Sequence, residues 1–146
     1  MYIIRLRPIQ IAKVWDSLRF AITQSIAPLV YVDENSIRVI LSELLCEKMQ
    51  CWCIYEKTGT GIDIYGYTVT SIQTEHHTNI RTLLIYAYYM FKRVSIDDRK
   101  NLHSTMQDFA KTNNCKLMAG YTNNALAENV AKDFSYVEIK YLVKEV

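Results

Sequence analysis

Near the start of the chain, apolar side chains return every three or four residues at Ile11, Val14, Trp15, Leu18 and Ile22. That spacing predicts an amphipathic helix with one buried stripe. Pro8 suits its first turn, where the missing N–H costs nothing, and the helix is expected to end near Pro28. Residues 2–6, ahead of it, read as a strand. A second helix opens with Asp33 or Asn35 as N-cap and buries Ile37, Ile40, Leu41, Leu44 and Leu45. From Cys51 to Phe91 the pattern changes to β-branched and aromatic residues. Cys51–Glu56, Ile62–Thr74 and Ile80–Phe91 read as three antiparallel strands, with Lys57-Thr58-Gly59-Thr60-Gly61 as a hairpin turn. Ser95-Ile96-Asp97-Asp98 is a capping signal for a helix whose buried face is Leu102, Met106, Phe109 and Ala110. Lys116–Tyr121 reads as a strand and Asn124–Lys132 as a short helix. The alternation of Val137, Ile139, Tyr141 and Val143 with Glu138, Lys140, Leu142 and Lys144 reads as a last strand. Helices in crossover positions after antiparallel strands give an α/β fold, a mixed, mostly antiparallel sheet flanked by about four helices.

Composition narrows this without changing it. The 146 residues fit one domain, 1–146, half hydrophobic and 22% charged, outside the disordered range. Seventeen basic side chains against fifteen acidic ones give +2, with no footprint for nucleic acid. The longest apolar stretches, such as Leu83–Phe91, fall well short of the roughly 20 residues of a membrane helix. The N-terminal stretch carries Arg5, Arg7 and Lys13 and lacks an apolar signal region, so a cytoplasmic location is expected rather than secretion. Cys51 and Cys53 flank Trp52 on one strand face and, with Cys46 and Cys115, read as small core thiols rather than metal ligands. His76 and His77 fall in a turn and His103 on a helix surface, so no metal is expected. Cys53 with His76 or His77 lacks the third, orienting group that a nucleophile and base would need. Thr58-Gly59-Thr60-Gly61 has too few glycines for a phosphate loop.

Three segments carry a family resemblance. Thr82 to Phe91 resembles the central strand that the GNAT (acetyltransferase-like) superfamily uses to contact acyl-CoA through its backbone. Phe109 to Cys115 resembles that family's F/W-A-K-x-x-G-C helix end, and Asn123-Asn124-Ala125 through Phe134-Ser135-Tyr136 its N-x-x-A … L-G-F closing motif. The resemblance spans essentially the whole chain. Lys48-Met49-Gln50-Cys51-Trp52 followed by Thr82-Leu83-Leu84-Ile85-Tyr86 also resembles GNAT-like proteins of tailed phages, including internal virion proteins of short-tailed phages. That implies a host cytoplasm or a virion, and other proteins, phage structural proteins among them, as partners.

The family holds the CoA pyrophosphate on Q/R-x-x-G-x-G/A, whose glycines let backbone N–H groups approach it at a helix N-terminus. Here that turn is Lys92-Arg93-Val94-Ser95-Ile96-Asp97-Asp98-Arg99, and the glycine positions fall on Asp97 and Arg99. A degenerate acyl-CoA loop at Lys92, Arg93, Val94 and Ser95 is what remains. Asp97 and Asp98 bring negative charge where phosphate would sit and compete for the helix dipole. The family's closing-helix tyrosine, which protonates the departing thiolate, aligns with Ala131. Tyr121 and Tyr136 are the nearby phenols, and only Asp63 and Glu75 qualify as acidic bases beside the central strands. No catalytic residue is assigned.

Eleven tyrosines remain to be placed. By strict alternation Tyr65 and Tyr67 share one strand face and Tyr86 and Tyr88 another, with Tyr89 opposite. They read either as sheet packing or as an interaction surface. Two functions stand. One is a phage virion-associated structural or protein-interaction module that needs no cofactor and is not an efficient enzyme. The alternative is a divergent acetyl-CoA-dependent N-acyltransferase.

Overall fold

A computed structural model describes residues 1–26, 33–121 and 125–138. The predicted last strand from Val137 lies largely outside these residues, and so do Pro28 and Asn124. The elements are β1 (Tyr2–Arg5), α1 (Pro8–Ile26), α2 (Glu34–Leu45), β2 (Met49–Thr58), β3 (Gly61–Thr74), β4 (Arg81–Met90), α3 (Ile96–Thr112), β5 (Leu117–Gly120) and α4 (Ala125–Asp133). Pro8 opens α1, Asp33 Oδ1 caps α2 by accepting from Ser36 N at 2.8 Å, and Ser95 Oγ caps α3 by accepting from Asp98 N at 3.1 Å. β2 is four residues longer than the sequence pattern indicated. Its end extends through the hairpin until Thr58 pairs Gly61.

The strands lie in sequence order. β1–β2, β2–β3 and β3–β4 are antiparallel, and β5 adds parallel to β4 through the α3 crossover. The sheet is buried on both faces. On one face α1 and α2 bury Leu18, Ile22, Ile40 and Leu44 against Cys51, Cys53, Tyr67, Val69 and Ala87. On the other, α3 buries Leu102, Met106 and Ala110 against Trp52, Ile54 and Leu83. Trp52 Nε1 donates to Thr70 Oγ1 at 2.9 Å and Thr70 Oγ1 donates to Gln50 Oε1 at 3.1 Å, so the polar atoms of this buried group are satisfied. Leu45, expected inside, is exposed because α2 turns it past the edge of the packed stripe.

Three helices end in a left-handed residue that is not glycine. Glu47 (φ 59°) follows α2, Asn114 (φ 58°) follows α3 and Ser135 (φ 64°) follows α4. Each turn is closed from the next residue back to the helix: Lys48 N to Glu43 O at 2.9 Å, Cys115 N to Ala110 O at 2.9 Å and Tyr136 N to Ala131 O at 3.2 Å. Asn114 and Ser135 stand at the glycine positions of the two motifs that the sequence resembles, and both adopt the left-handed conformation without glycine. Glu47 carries both a Cβ penalty and a negative charge at the negative end of α2. Glu47→Gly is therefore expected to raise stability by about 0.5–1 kcal/mol. Urea denaturation checks this, and a lowered midpoint contradicts it.

Candidate functional site

Two β-bulges shape the centre of the sheet. Ile54 pairs Gly66 while Tyr55 pairs Ile64, leaving Tyr65 as an extra residue in β3. Val69 pairs Ala87 while Thr70 pairs Ile85, leaving Tyr86 as an extra residue in β4. A bulge breaks the period of two, and the expected tyrosine faces are corrected accordingly. Tyr65 packs with the α3 core and Tyr67 with the α1–α2 core. Tyr86 lines a groove beside α2, whereas Tyr88 lies within reach of the Arg99 charge on α3.

Of the four candidate interaction tyrosines, Tyr67 is only 1% exposed and its hydroxyl shares a 2.8 Å hydrogen bond with Ser17 Oγ. Burial pushes its phenol up to about 12. It is a core residue, not a surface one. Tyr65 donates to Glu56 Oε2 at 3.0 Å, and that bond holds its pKa above the ordinary value. Tyr86 and Tyr88 keep 39% and 38% of their surface exposed and remain available to a ligand or partner.

β4 and β5 run parallel only from Thr82–Leu117 to Ile85–Gly120. The bulge at Tyr86 falls immediately after. Beyond it, Phe91 N donates to Tyr65 O at 2.8 Å, so Phe91 faces β3 and Tyr88, three residues earlier, turns its N–H and C=O the other way. Tyr88 thus turns its backbone groups away from β3, beyond the last paired residues of β4 and β5. An extended chain bearing amides matches such an edge.

In the turn leading into α3, three of the four candidate loop residues already have partners or are buried. Lys92 Nζ donates to both oxygens of Asp63 at 2.6 and 2.5 Å and lies over the Tyr65 ring, and Asp63 holds the ammonium above its usual pKa. Val94 is a core residue, 2% exposed, and its carbonyl accepts from Arg99 Nε and Nη2 at 3.2 and 3.0 Å. Ser95 Oγ accepts from Asp98 N and donates to the Asp98 carboxylate, so the cap is closed on itself. Of the four proposed cofactor-binding residues, only Arg93 has no hydrogen-bond or ion-pair partner among the described residues, and it is exposed. Lys92, Val94 and Ser95 are engaged in this structure as an ion pair, a core contact and a helix cap.

Both candidate bases are also engaged. Asp63 belongs to the Lys92 pair. Glu75 accepts from His77 N, Thr78 N and Thr78 Oγ1 at 3.0, 2.6 and 2.6 Å, and these bonds hold its carboxyl below the usual value. Cys53 lies in the core beneath α1, its thiol pushed up to about 11 by burial, while His76 and His77 are exposed in the turn after β3. They form no nucleophile–base pair. Among the described residues no cluster of three or more His, Cys, Asp or Glu could hold a metal ion, and no helix is long and apolar enough to cross a membrane.

His103, expected on a helix surface, is half-buried. Its ring stacks on Phe134 at 4.6 Å and Nε2 shares a 3.2 Å hydrogen bond with the Tyr136 hydroxyl. Burial lowers the His103 pKa and raises that of Tyr136. Folded His103 therefore binds its proton less tightly than the unfolded chain does. The linked stability is complete above the ordinary imidazole value of 6.5 and is lost as pH falls below it. Thermal midpoints measured between about pH 5 and 7.5 should decline on the acid side, and His103→Gln should flatten the decline. An unchanged slope contradicts this. The signal was absent from the sequence because the contact depends on how α4 returns to α3.

A depression of about 550 Å3 lies elsewhere, between α2 and the strands, lined by Val39, Ile40, Glu43, Lys48, Ser71 and Tyr86 among others. Its charged groups, Lys48 and Glu43, face each other at 3.6 Å.

These features define a class: a mixed sheet whose parallel β4–β5 pair stops at a bulge in β4, with paired helices on one face and a crossover helix on the other. No protein-family model and no curated protein matches the sequence. Solved structures do. A predicted acetyltransferase with acetyl-CoA from Clostridium acetobutylicum superposes with a TM-score of 0.74 at 13% identity, over 99% of this chain and 95% of that one. A GNAT family acetyltransferase from Staphylococcus aureus gives 0.61 at 16% identity, covering 100% and 99%. An aminoglycoside N-acetyltransferase in complex with CoA gives 0.68 at 13% identity, covering 99% and 98%. This chain has the GNAT fold.

Proposed function

We propose that this protein is a divergent N-acyltransferase that takes an acyl-CoA along the outward backbone edge of β4. The carrying observation is the edge of β4 that faces away from β3 at Tyr88, just past the Tyr86 bulge, where β4 and β5 no longer pair. The similarity to acetyltransferase structures over the whole chain supports the same reading. In the reaction the acceptor nitrogen attacks the thioester carbonyl, the C–N bond forms and the C–S bond breaks. The ammonium proton leaves to the thiolate or to water. Asp97 and Arg99 replace the glycine cradle, so the pyrophosphate rests on Arg93, with Lys92 available once it leaves Asp63. Weak cofactor binding follows. Acetyl-CoA incubated with a panel of amines should release free thiol in an amine-dependent way. No release and no binding would overturn this reading.

The second reading is a structural or protein-interaction module, in a phage virion, that has given up acyl transfer. The closed Ser95–Asp98 cap and the exposed Tyr86 and Tyr88 favour it. Its test is mass spectrometry of purified phage particles encoding the chain. Recovery of the protein at stoichiometric levels supports it, and absence from the particles removes it.

A further inference from the structure

The outward edge of β4 is already occupied by the protein itself. Tyr88 N donates to Ser25 Oγ at 2.9 Å, and Ser25 Oγ donates to Tyr88 O at 3.1 Å. One hydroxyl in the last turn of α1 thus satisfies both backbone groups of one strand residue. The other hydroxyls of α1 behave differently. Thr23 donates to Arg19 O at 2.9 Å and Ser17 to Val14 O at 3.0 Å, the local habit of such residues in helices. α1 cannot drift from this position easily: Leu18, Ala21 and Ile22 are 0–2% exposed, and Phe20 sits against Tyr89 and Phe91 at ring-centroid distances of 5.9 and 6.3 Å.

We propose that Ser25 is a hydroxyl latch on the ligand-pairing edge of β4, holding Tyr88 N–H and C=O until an acyl-CoA displaces it. This rests on the acyl-CoA reading above. A serine hydroxyl has a second staggered position in which it bonds the carbonyl four residues back along its own helix. Ser25 can therefore release Tyr88 by one side-chain rotation, with α1 staying folded on the sheet. The incoming chain then offers an amide carbonyl to Tyr88 N–H and an amide N–H to Tyr88 C=O, replacing two bonds by two. The free energy of the latch is subtracted from ligand affinity.

The test is isothermal titration of acetyl-CoA into the wild type, Ser25→Ala and Ser25→Thr, with hydrogen exchange at the Tyr88 amide. Alanine suits a helix at least as well as serine, so the variant should fold. Ser25→Ala is expected to bind acetyl-CoA about three- to tenfold more tightly, the size of one modest net hydrogen bond. Its Tyr88 amide should exchange faster in the free protein, and Ser25→Thr should behave as wild type. Equal affinity overturns the latch and leaves the acyl-CoA reading standing. Weaker binding also overturns it, making the hydroxyl a ligand contact. No binding by any form removes the latch together with that reading.

Discussion

Gly66→Ala is expected to destabilise the protein by about 3 kcal/mol, the upper part of the range for overpacking a well-filled site. Gly66 follows the Tyr65 bulge and pairs Met90. A Cβ there would lie 2.4 Å from Met90 Sδ, 2.5 Å from Tyr89 O and 3.0 Å from Met90 Cα. The sulfur can move, but the backbone carbonyl and Cα cannot without shifting β4. Gly59→Ala is the control, since nothing lies within 4 Å of a Cβ there, and it should fall within about 0.5 kcal/mol of wild type. Urea denaturation of both variants measures the contrast. Equal midpoints would mean that the β3–β4 contact at the bulge is not a tight one.

The second large effect concerns the α3 N-terminus. The double variant Asp97→Gly with Arg99→Gly should bind acetyl-CoA about tenfold more tightly than wild type, an affinity gain of about 1.4 kcal/mol. It removes an exposed carboxylate from the positive end of the helix and a side chain that closes over the Val94 carbonyl. The cost is about 1 kcal/mol of helix stability per glycine, less at a first-turn position than in mid-helix. Titration reports affinity and denaturation reports the cost. Lower affinity in the variant would show that Arg99 itself holds the ligand.

Much of the fold could be read from hydrophobic period alone. The stripe from Ile11 to Ile22, the Asp33 and Ser95 caps and the Gly59-Thr60 hairpin all stand where periodicity and capping chemistry place them. The candidate site was less legible, for two physical reasons. A bulge adds one residue to one strand, so every later side chain changes face. No residue type announces this at Tyr65 or Tyr86. Polar side chains also choose partners that are distant in sequence. Lys92 reaches Asp63 and Ser25 reaches Tyr88, and neither pairing has a local signature. Helix ends were obscured for a third reason: Glu47, Asn114 and Ser135 hold the left-handed positions that glycine usually marks.

The sequence reading of the Lys92–Arg99 turn and the geometry of β4 pull in opposite directions. The turn has a closed cap and acidic neighbours. The strand keeps the bulge and outward edge on which an extended amide-bearing ligand would lie. The geometry of β4 is tied to the packing of both faces of the sheet, whereas an exposed loop can be substituted at little energetic cost.

The measurement that bears most directly on acyl-CoA binding along β4 is a titration of the isotopically labelled protein with acetyl-CoA, followed by amide chemical shifts. Saturable shifts at Tyr86 through Met90 and at Gly120, larger than those in the groove beside α2, are the predicted result. Saturating acetyl-CoA with no shift along β4 would contradict it.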